Sequence, residues 1–319
     1  VGAAAAGCRV PAVIVGGRVG GESARGRLHY DEERCVTNPD LAALADRFGL
    51  APVGARPGLG SYLAETWRRR SFAITLANYR IQSENERNRL GIAWVVIRPL
   101  LNAVVYGVVF GLLLGSNRPP DFVPFLLVGV FIFEYFSQSL SDGSKAITSN
   151  EKLVRSLSFP RILLPVSALF KQIYKLGPIL VVLAGLLLVF QVPITVSWLM
   201  IFPVMALMTL FNGGVAMIAA RLSVHLRDIQ QVIPFVNRLL FYSSGVFFQI
   251  DQVLQPYPTV LAIARLNPAY EFIHLSREAL IPGIDHQPDL WAYAAIWSIL
   301  VFLFGVLFFW QAESRYGRE

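Results

Sequence analysis

The chain alternates long apolar runs with short basic connections. A helix that crosses a bilayer needs about 20 mostly apolar residues. Residues 290–311 supply 22 without a charge, and residues 196–220 supply 25. Residues 90–117 are interrupted only by Arg98, and residues 122–141 only by Glu134. A third span ends in the uncharged run 176–190, with Lys171 and Lys175 near its start, and a fifth, 232–250, carries Arg238. The pattern predicts an all-α integral membrane protein with six spans, at about 93–115, 122–141, 168–191, 197–220, 231–249 and 290–311.

Two segments follow a different pattern. Leu63, Trp67, Ile74 and Ile81 recur at roughly helical spacing, with Arg68, Arg69 and Arg70 interrupting them. This predicts an amphipathic helix over about 61–80, within an interfacial region 61–89. Lying in the headgroup plane is one reading, and packing on a soluble partner is the other. Residues 251–287 are too polar to span and hold Pro256, Pro258, Pro268 and Pro282. Short re-entrant helices outside the cytoplasm are expected there, one of them between Pro268 and Ile281. Irregular backbone at that depth must be covered by protein or water.

Charge sets the orientation. Arg68, Arg69, Arg70, Arg80, Arg87, Arg89, Lys145, Lys152, Arg155, Arg161, Arg221, Arg227, Arg315 and Arg318 all fall on one side of the six spans. The other side holds Arg118, Arg265 and Arg277. The basic side faces the cytoplasm, so both ends are expected inside. Arg98, Lys171, Lys175 and Arg238 sit in the cytoplasmic halves of their spans, where long side chains snorkel to the interface. Glu134 lies past the middle of span two. A carboxylate there is expected to face a wet cavity or a cation; protonation is the alternative. Gly107, Gly111 and Gly115 form a small-xxx-small stripe on span one, open to close helix packing.

Composition adds exclusions. Only 15% of the 319 residues are charged, against about 25% in soluble domains, and 55% are hydrophobic. The net charge of +7 sits beside the apolar spans and reads as topology, not nucleic-acid binding. Of the 28 basic residues 24 are arginine, a sign of GC-rich coding. The two cysteines, Cys8 and Cys35, lie outside the spans and offer no thiolate site in the rest of the chain. No Walker A motif is present. GARPGLGS at 54–61 lacks the lysine that reaches phosphates. His29, His225, His274 and His286 show no metal-ligand spacing. No nucleophile elbow or carboxylate cluster points to an enzyme.

Residues 1–35 have no clear periodicity, and the apolar stretch after Arg9 is too short for a signal peptide. Two readings stand for them: a frame extended upstream of a native start near Val36, or a disordered cytoplasmic tail. Intact mass of the native product decides between them. A short cytoplasmic helix and linker over 36–60 follows, with Asn38 as N-cap, Pro39 at its first position and Gly49 at its end.

Several segments together resemble the permease subunit of a type 2 ABC exporter, in the group that exports O-antigen, teichoic acid and galactan. Arg89-Leu90-Gly91, Trp94 and Pro99 resemble that family's start of span one. Ser158-Phe159-Pro160-Arg161, then Pro165, resembles its segment before span three. Arg227-Asp228-Ile229 with Pro234, and Asn267-Pro268 with Arg277, resemble its later motifs. The wording of the spans is most similar to the actinobacterial galactan exporter, although Glu134 and Arg238 put more charge in the spans than the family pattern has.

The resemblance implies two copies of this chain and two ATP-binding subunits, which would carry the ATP and Mg2+, in a bacterial plasma membrane. No cofactor is expected on this chain. It implies coupling to the ATPases through the second cytoplasmic loop, with Glu151, Lys152, Arg155, Arg161, Arg227 and Asp228 as contacts; basic loops are also what topology alone requires. It implies a lipid-linked glycan as cargo, with membrane lipid around it. Aromatic rings stack on sugar faces, and Trp94, Tyr106, Phe110, Phe131, Phe133, Tyr135, Phe136, Tyr174 and Tyr242 are candidates, with Glu134, to line its path. Aromatics also form lipid-facing belts. An exporter of drugs or small lipids, a membrane-embedded glycosyltransferase and a passive channel are the competing functions.

Overall fold

In the computed structural model, residues 58–86, 89–113, 115, 121–157, 159–226 and 228–313 are described. The expectations for residues 1–57, and those on Arg87, Arg118, Ser158, Arg227, Arg315 and Arg318, lie outside them. The described residues form helices joined by short turns, in an all-α membrane fold. Five helices are long and apolar enough to cross a bilayer: Gly91–Leu113, Phe122–Ser144, Leu163–Val189, Val196–His225 and Pro288–Gln311.

Where one helix over about 61–80 is expected, two form, α1 (Leu59–Arg68) and α2 (Arg70–Glu86), broken at Arg69. The three arginines that interrupt the apolar period mark the break. On α1 Tyr62 is buried while Trp67 is exposed. On α2 Ala73 and Ala77, one turn apart, are fully buried. Their small side chains let α2 lie along α6 (Leu163–Val189).

The central helix is α4 (Phe122–Ser144), which is enclosed on most sides. It packs against α3 (Trp94–Leu113), α6, α7 (Ile201–His225) and α11 (Pro268–Leu280). At its C-terminal end a Cβ on Gly143 would come within 2.6 Å of the Ala216 backbone on α7. The tightest pair is α7 with α12 (Pro288–Gln311). A Cβ on Gly214 would lie 2.4 Å from the Val301 carbonyl oxygen, and one on Gly305 2.5 Å from that of Gly214. Without an area-based hydrophobic drive between helices in lipid, such backbone approach is what holds spans together. The glycine stripe on α3 is looser: a Cβ on Gly107 would meet Leu126 at an ordinary 3.4 Å.

The fifth apolar run behaves differently from its sequence. Its helix, α8 (Ile229–Ser243), has 15 residues, about 22 Å long, where a span over 231–249 is expected. The backbone turns at Gly245 with φ +64°, a left-handed conformation that favours glycine. The turn strands carbonyls at a depth where the chain is buried. Arg277 of α11 takes them. Its Nη1 donates to the Gly245 oxygen and its Nη2 to the Val246 oxygen, both at 2.8 Å, and its Nε donates to the Phe125 oxygen at 3.1 Å. The guanidinium lies over the Phe125 ring, 3.3 Å from its centroid. Gly129 leaves the room, since a Cβ there would meet Nη2 at 2.5 Å.

The polar segment 251–287 forms three short helices: α9 (Ile250–Val253), α10 (Pro258–Arg265) and α11. Asn267 caps α11 through its side-chain oxygen and the Ala269 N–H at 3.1 Å. Asp251 ties the group together. It accepts from Arg265 Nη2 at 2.7 Å, from the Tyr270 hydroxyl at 2.6 Å and from Gln287 at 3.3 Å. Burial alone would raise the Asp251 carboxyl; these donors and the Arg265 charge outweigh it and hold it below its ordinary value.

Arg277→Lys is expected to lower the thermal stability of the purified protein in detergent by about 3 kcal/mol, because one ammonium cannot span three carbonyls. Gln287→Ala serves as the mild control. A melting temperature for R277K no lower than that of Q287A contradicts the anchoring role.

Candidate functional site

One group of polar side chains inside this apolar bundle lies on a single face, where α3, α4 and α6 meet the end of α2. Lys171, eight residues into α6, has only 7% of its side chain exposed. It is ion-paired to Asp142 of α4 at 2.7 Å and, on its other side, to Glu84 of α2. Lys175, one turn further, pairs with the other Glu84 oxygen at 2.8 Å. Gln172 donates to Asp142. A charge held this far from water costs free energy unless it is paired, and here each ammonium has a carboxylate. Burial pushes the Glu84 carboxyl up, but the hydrogen bonds and charges of the two lysines prevail and hold it below the usual carboxylate range. Glu84 is therefore an anion at neutral pH.

A cavity of about 300 Å³ adjoins this knot. Arg98, Glu134, Gln138, Trp94 and Tyr135 line it together with Glu84, Asp142, Lys171, Gln172 and Lys175. Glu134 is half-buried and accepts from Gln138 at 2.8 Å, one helical turn away. Its carboxyl thus faces a polar cavity rather than bare lipid. Tyr135 is 1% exposed, and its hydroxyl shares a 2.7 Å hydrogen bond with Thr209. The walls alternate donors and acceptors around one exposed indole, Trp94. Such a surface can satisfy hydroxyl-rich or charged groups that hydrocarbon would exclude.

The other aromatic candidates separate into two groups. Phe131, Phe133 and Phe136 are buried in the core. Tyr106 and Phe110 of α3 join Phe241 and Phe247 in a ring cluster, with Phe110 stacked 3.9 Å from Phe247. Tyr174 and Tyr242 are each 47% exposed, beyond the cavity walls. Trp94 and Tyr135 are thus the candidates that the structure brings to the cavity.

The helix ends beside the C-terminus of α4 form a second constellation. After α4 a 3₁₀ turn (Thr148–Asn150) leads into α5 (Glu151–Ser156). Glu151, Lys152 and Arg155 project from it and are exposed, as is Asp228 before α8. Gln230 donates to the Thr148 hydroxyl at 2.7 Å, joining the connection after α4 to the start of α8. Arg161 turns inward. Its backbone N–H donates to Glu313 Oε1 at 2.9 Å, and its guanidinium donates to the Glu313 backbone oxygen. Tyr62 of α1, 1% exposed, donates to Glu313 Oε2 at 2.7 Å and accepts from the Ile162 N–H at 3.3 Å. The Phe72 and Phe159 rings meet at 5.0 Å. One buried junction therefore binds α1, the segment before α6 and the end of α12. No motif announced it, because Tyr62 and Glu313 are 251 residues apart.

Residues 74–281 match the family described as ABC-2 type transporter. That range holds nine of the helices above, α3 to α11, and both constellations except Tyr62, Phe72 and Glu313. The chain belongs to the ABC-2 type transporter family. An O-antigen export system permease protein RfbA of Myxococcus xanthus is 27% identical over 260 residues, 79% of this chain and 95% of that protein. One of the same name from Klebsiella pneumoniae is 24% identical over 213 residues, 66% and 80% of the two chains. The polysialic acid transport protein KpsM of Escherichia coli is 24% identical over 234 residues, 71% and 87%. Permeases of the ABC-2 family work with an ATP-binding subunit.

In this ABC-2 permease, Tyr62→Phe leaves a buried carboxylate oxygen without its donor. The expected cost is about 1–3 kcal/mol. Combined with Glu313→Gln, the two losses should fall short of additivity by about 1 kcal/mol, since they share one bond. Thermal unfolding of the wild type, both single variants and the double variant measures this. Strict additivity contradicts the junction.

Proposed function

We propose that this chain is the permease of an ATP-driven exporter that carries a lipid-linked polysaccharide, of galactan or O-antigen type, from the cytoplasm across a bacterial plasma membrane. The observation that carries the reading is the polar cavity of α3, α4 and α6 inside a largely apolar bundle, in a chain similar to proteins named for O-antigen and polysialic acid transport. A glycan needs a wet, hydrogen-bonding route, and its lipid needs an apolar one. Trp94 offers a ring face for sugar, and Glu134 and Gln138 offer hydroxyl partners.

The working topology has six crossings with both ends in the cytoplasm. The short α8 and the buried turn after it, sealed by Arg277, make the fifth crossing. Two copies of the chain enclose the path, and two ATP-binding subunits sit below them, holding ATP and Mg2+. Glu151, Lys152 and Arg155 on α5, with Asp228 beside them and Arg227 next in sequence, meet those subunits. Arg161 then relays the movement inward, through Glu313 to α12 and through the adjoining Tyr62 to α1.

Depletion of the chain in its host tests the cargo. Lipid-linked glycan is expected to accumulate on the cytoplasmic side, and normal delivery contradicts the assignment. Coupling is tested in the reconstituted complex. Alanine at Glu151 and Arg155 together is expected to lower transport-coupled ATP turnover about fivefold or more with membrane insertion intact. Unchanged turnover removes α5 as the contact.

A further inference from the structure

The charges of the knot and cavity do not balance. Around the knot, Arg80, Lys171 and Lys175 face two carboxylates, Glu84 and Asp142. Arg80 stands one turn before Glu84 on α2, with Asp142 and Glu84 as its nearby charges. Its Nη2 atom is buried and makes no hydrogen bond to any described residue. A buried guanidinium donor without an acceptor is rare in native proteins, and excess positive charge away from water is costly. Both features point to an anion as the group this place accommodates.

Glu84 is the partner that can give way. Its side chain is 46% exposed on the surface helix α2, so water can take it up at little cost. Lys171 would keep Asp142 when Glu84 leaves. Lys175 would not keep its Glu84 bond, and so favours a replacement anion. A phosphate monoester brings more charge than a carboxylate and three acceptor oxygens, and a phosphodiester brings one charge and two free oxygens. That suits two ammonium groups and a guanidinium. The depth also fits: Lys171 and Lys175 lie about 12 and 18 Å along α6 from its cytoplasmic start, within reach of a headgroup whose chains run into the bilayer.

We propose that the Arg80–Lys171–Lys175 cluster is a recognition site for a lipid-borne phosphate at the cytoplasmic leaflet, where the Glu84 carboxylate stands in for the phosphate and yields to it. The inference deepens the exporter reading and rests on it only for the source of the phosphate, either the cargo or a bulk phospholipid. Binding itself requires no transport.

The test uses the full chain in complex with its ATP-binding subunit, in maltoside detergent free of phospholipid. Dodecyl phosphate, phosphatidylglycerol and inorganic phosphate are titrated while tryptophan fluorescence, sensitive to Trp94, is followed. Dodecyl phosphate should bind the wild type saturably. It should bind Glu84→Gln about tenfold tighter, because the internal competitor is gone, and Lys175→Gln about tenfold weaker. Melting temperatures identify any variant that fails to fold, and K175Q keeps the test decisive if E84Q does. Equal or weaker binding by a folded E84Q overturns the proposal, as does undiminished binding by K175Q or no saturable binding at all. Tighter binding of dodecyl phosphate than of phosphatidylglycerol assigns the site to cargo, and the reverse assigns it to bulk lipid. Binding as predicted, alongside normal glycan delivery in depleted cells, would leave the site standing and remove the exporter reading.

Discussion

Hydrocarbon offers no water to a polar group, so each one that this chain carries into the bilayer needs a partner from the protein. Two places show how the requirement shapes the molecule. At the turn after α8, three backbone carbonyls converge on the guanidinium of Arg277, and the turn, α4 and α11 are locked together. At the foot of α6, Lys171 draws Asp142 and Glu84 around itself, and α2, α4 and α6 meet there. The first place is fully enclosed and serves architecture. The second opens on a cavity and has charge to spare.

That contrast organises the functional reading. An exporter must hold its spans together firmly yet let one face accept a polar load. The glycine contacts between α7 and α12 leave no space for a side chain, so that pair moves as one body or not at all. The α2–α6 contact instead ends in an ion pair with a half-exposed carboxylate, a bond that another anion can replace. The junction of Tyr62, Arg161 and Glu313 ties α1 to the start of α6 and the end of α12. Motion imposed on α5 would therefore reach α1 and α12 through Arg161 with few intervening parts.

Much of this was legible in the residue pattern, and the limits were physical. The long spans follow from apolar runs that nothing else explains, and the arginine break between α1 and α2 was visible as an interruption of helical period. Pro268 and Asn267 announced the start of α11. The end of α8 was not readable, because the apolar run continues past Ser243 while the helix stops there. What stops it is a left-handed glycine whose neighbouring carbonyls find Arg277 some 31 residues on. Lys171 and Lys175 read as snorkelling cations, since nothing near them in sequence is acidic; Glu84 lies 87 residues away from Lys171. Glu134 did signal a cavity, because a carboxylate in mid-span has few other places to be. The aromatic residues signalled least. Phe131 and Trp94 look alike in an apolar run, yet one is core and the other wall.

The central claim is that cargo meets the protein at the polar face of α3, α4 and α6. Its most direct test is a photoreactive side chain at Gln138, on the cavity wall, compared with one at Leu300, which is exposed on α12. Both are assayed in the complete complex with lipid-linked glycan, with and without ATP. The account predicts glycan cross-links at Gln138 that change in yield with ATP, and none to glycan at Leu300. Cross-links at Leu300 with none at Gln138 would contradict it.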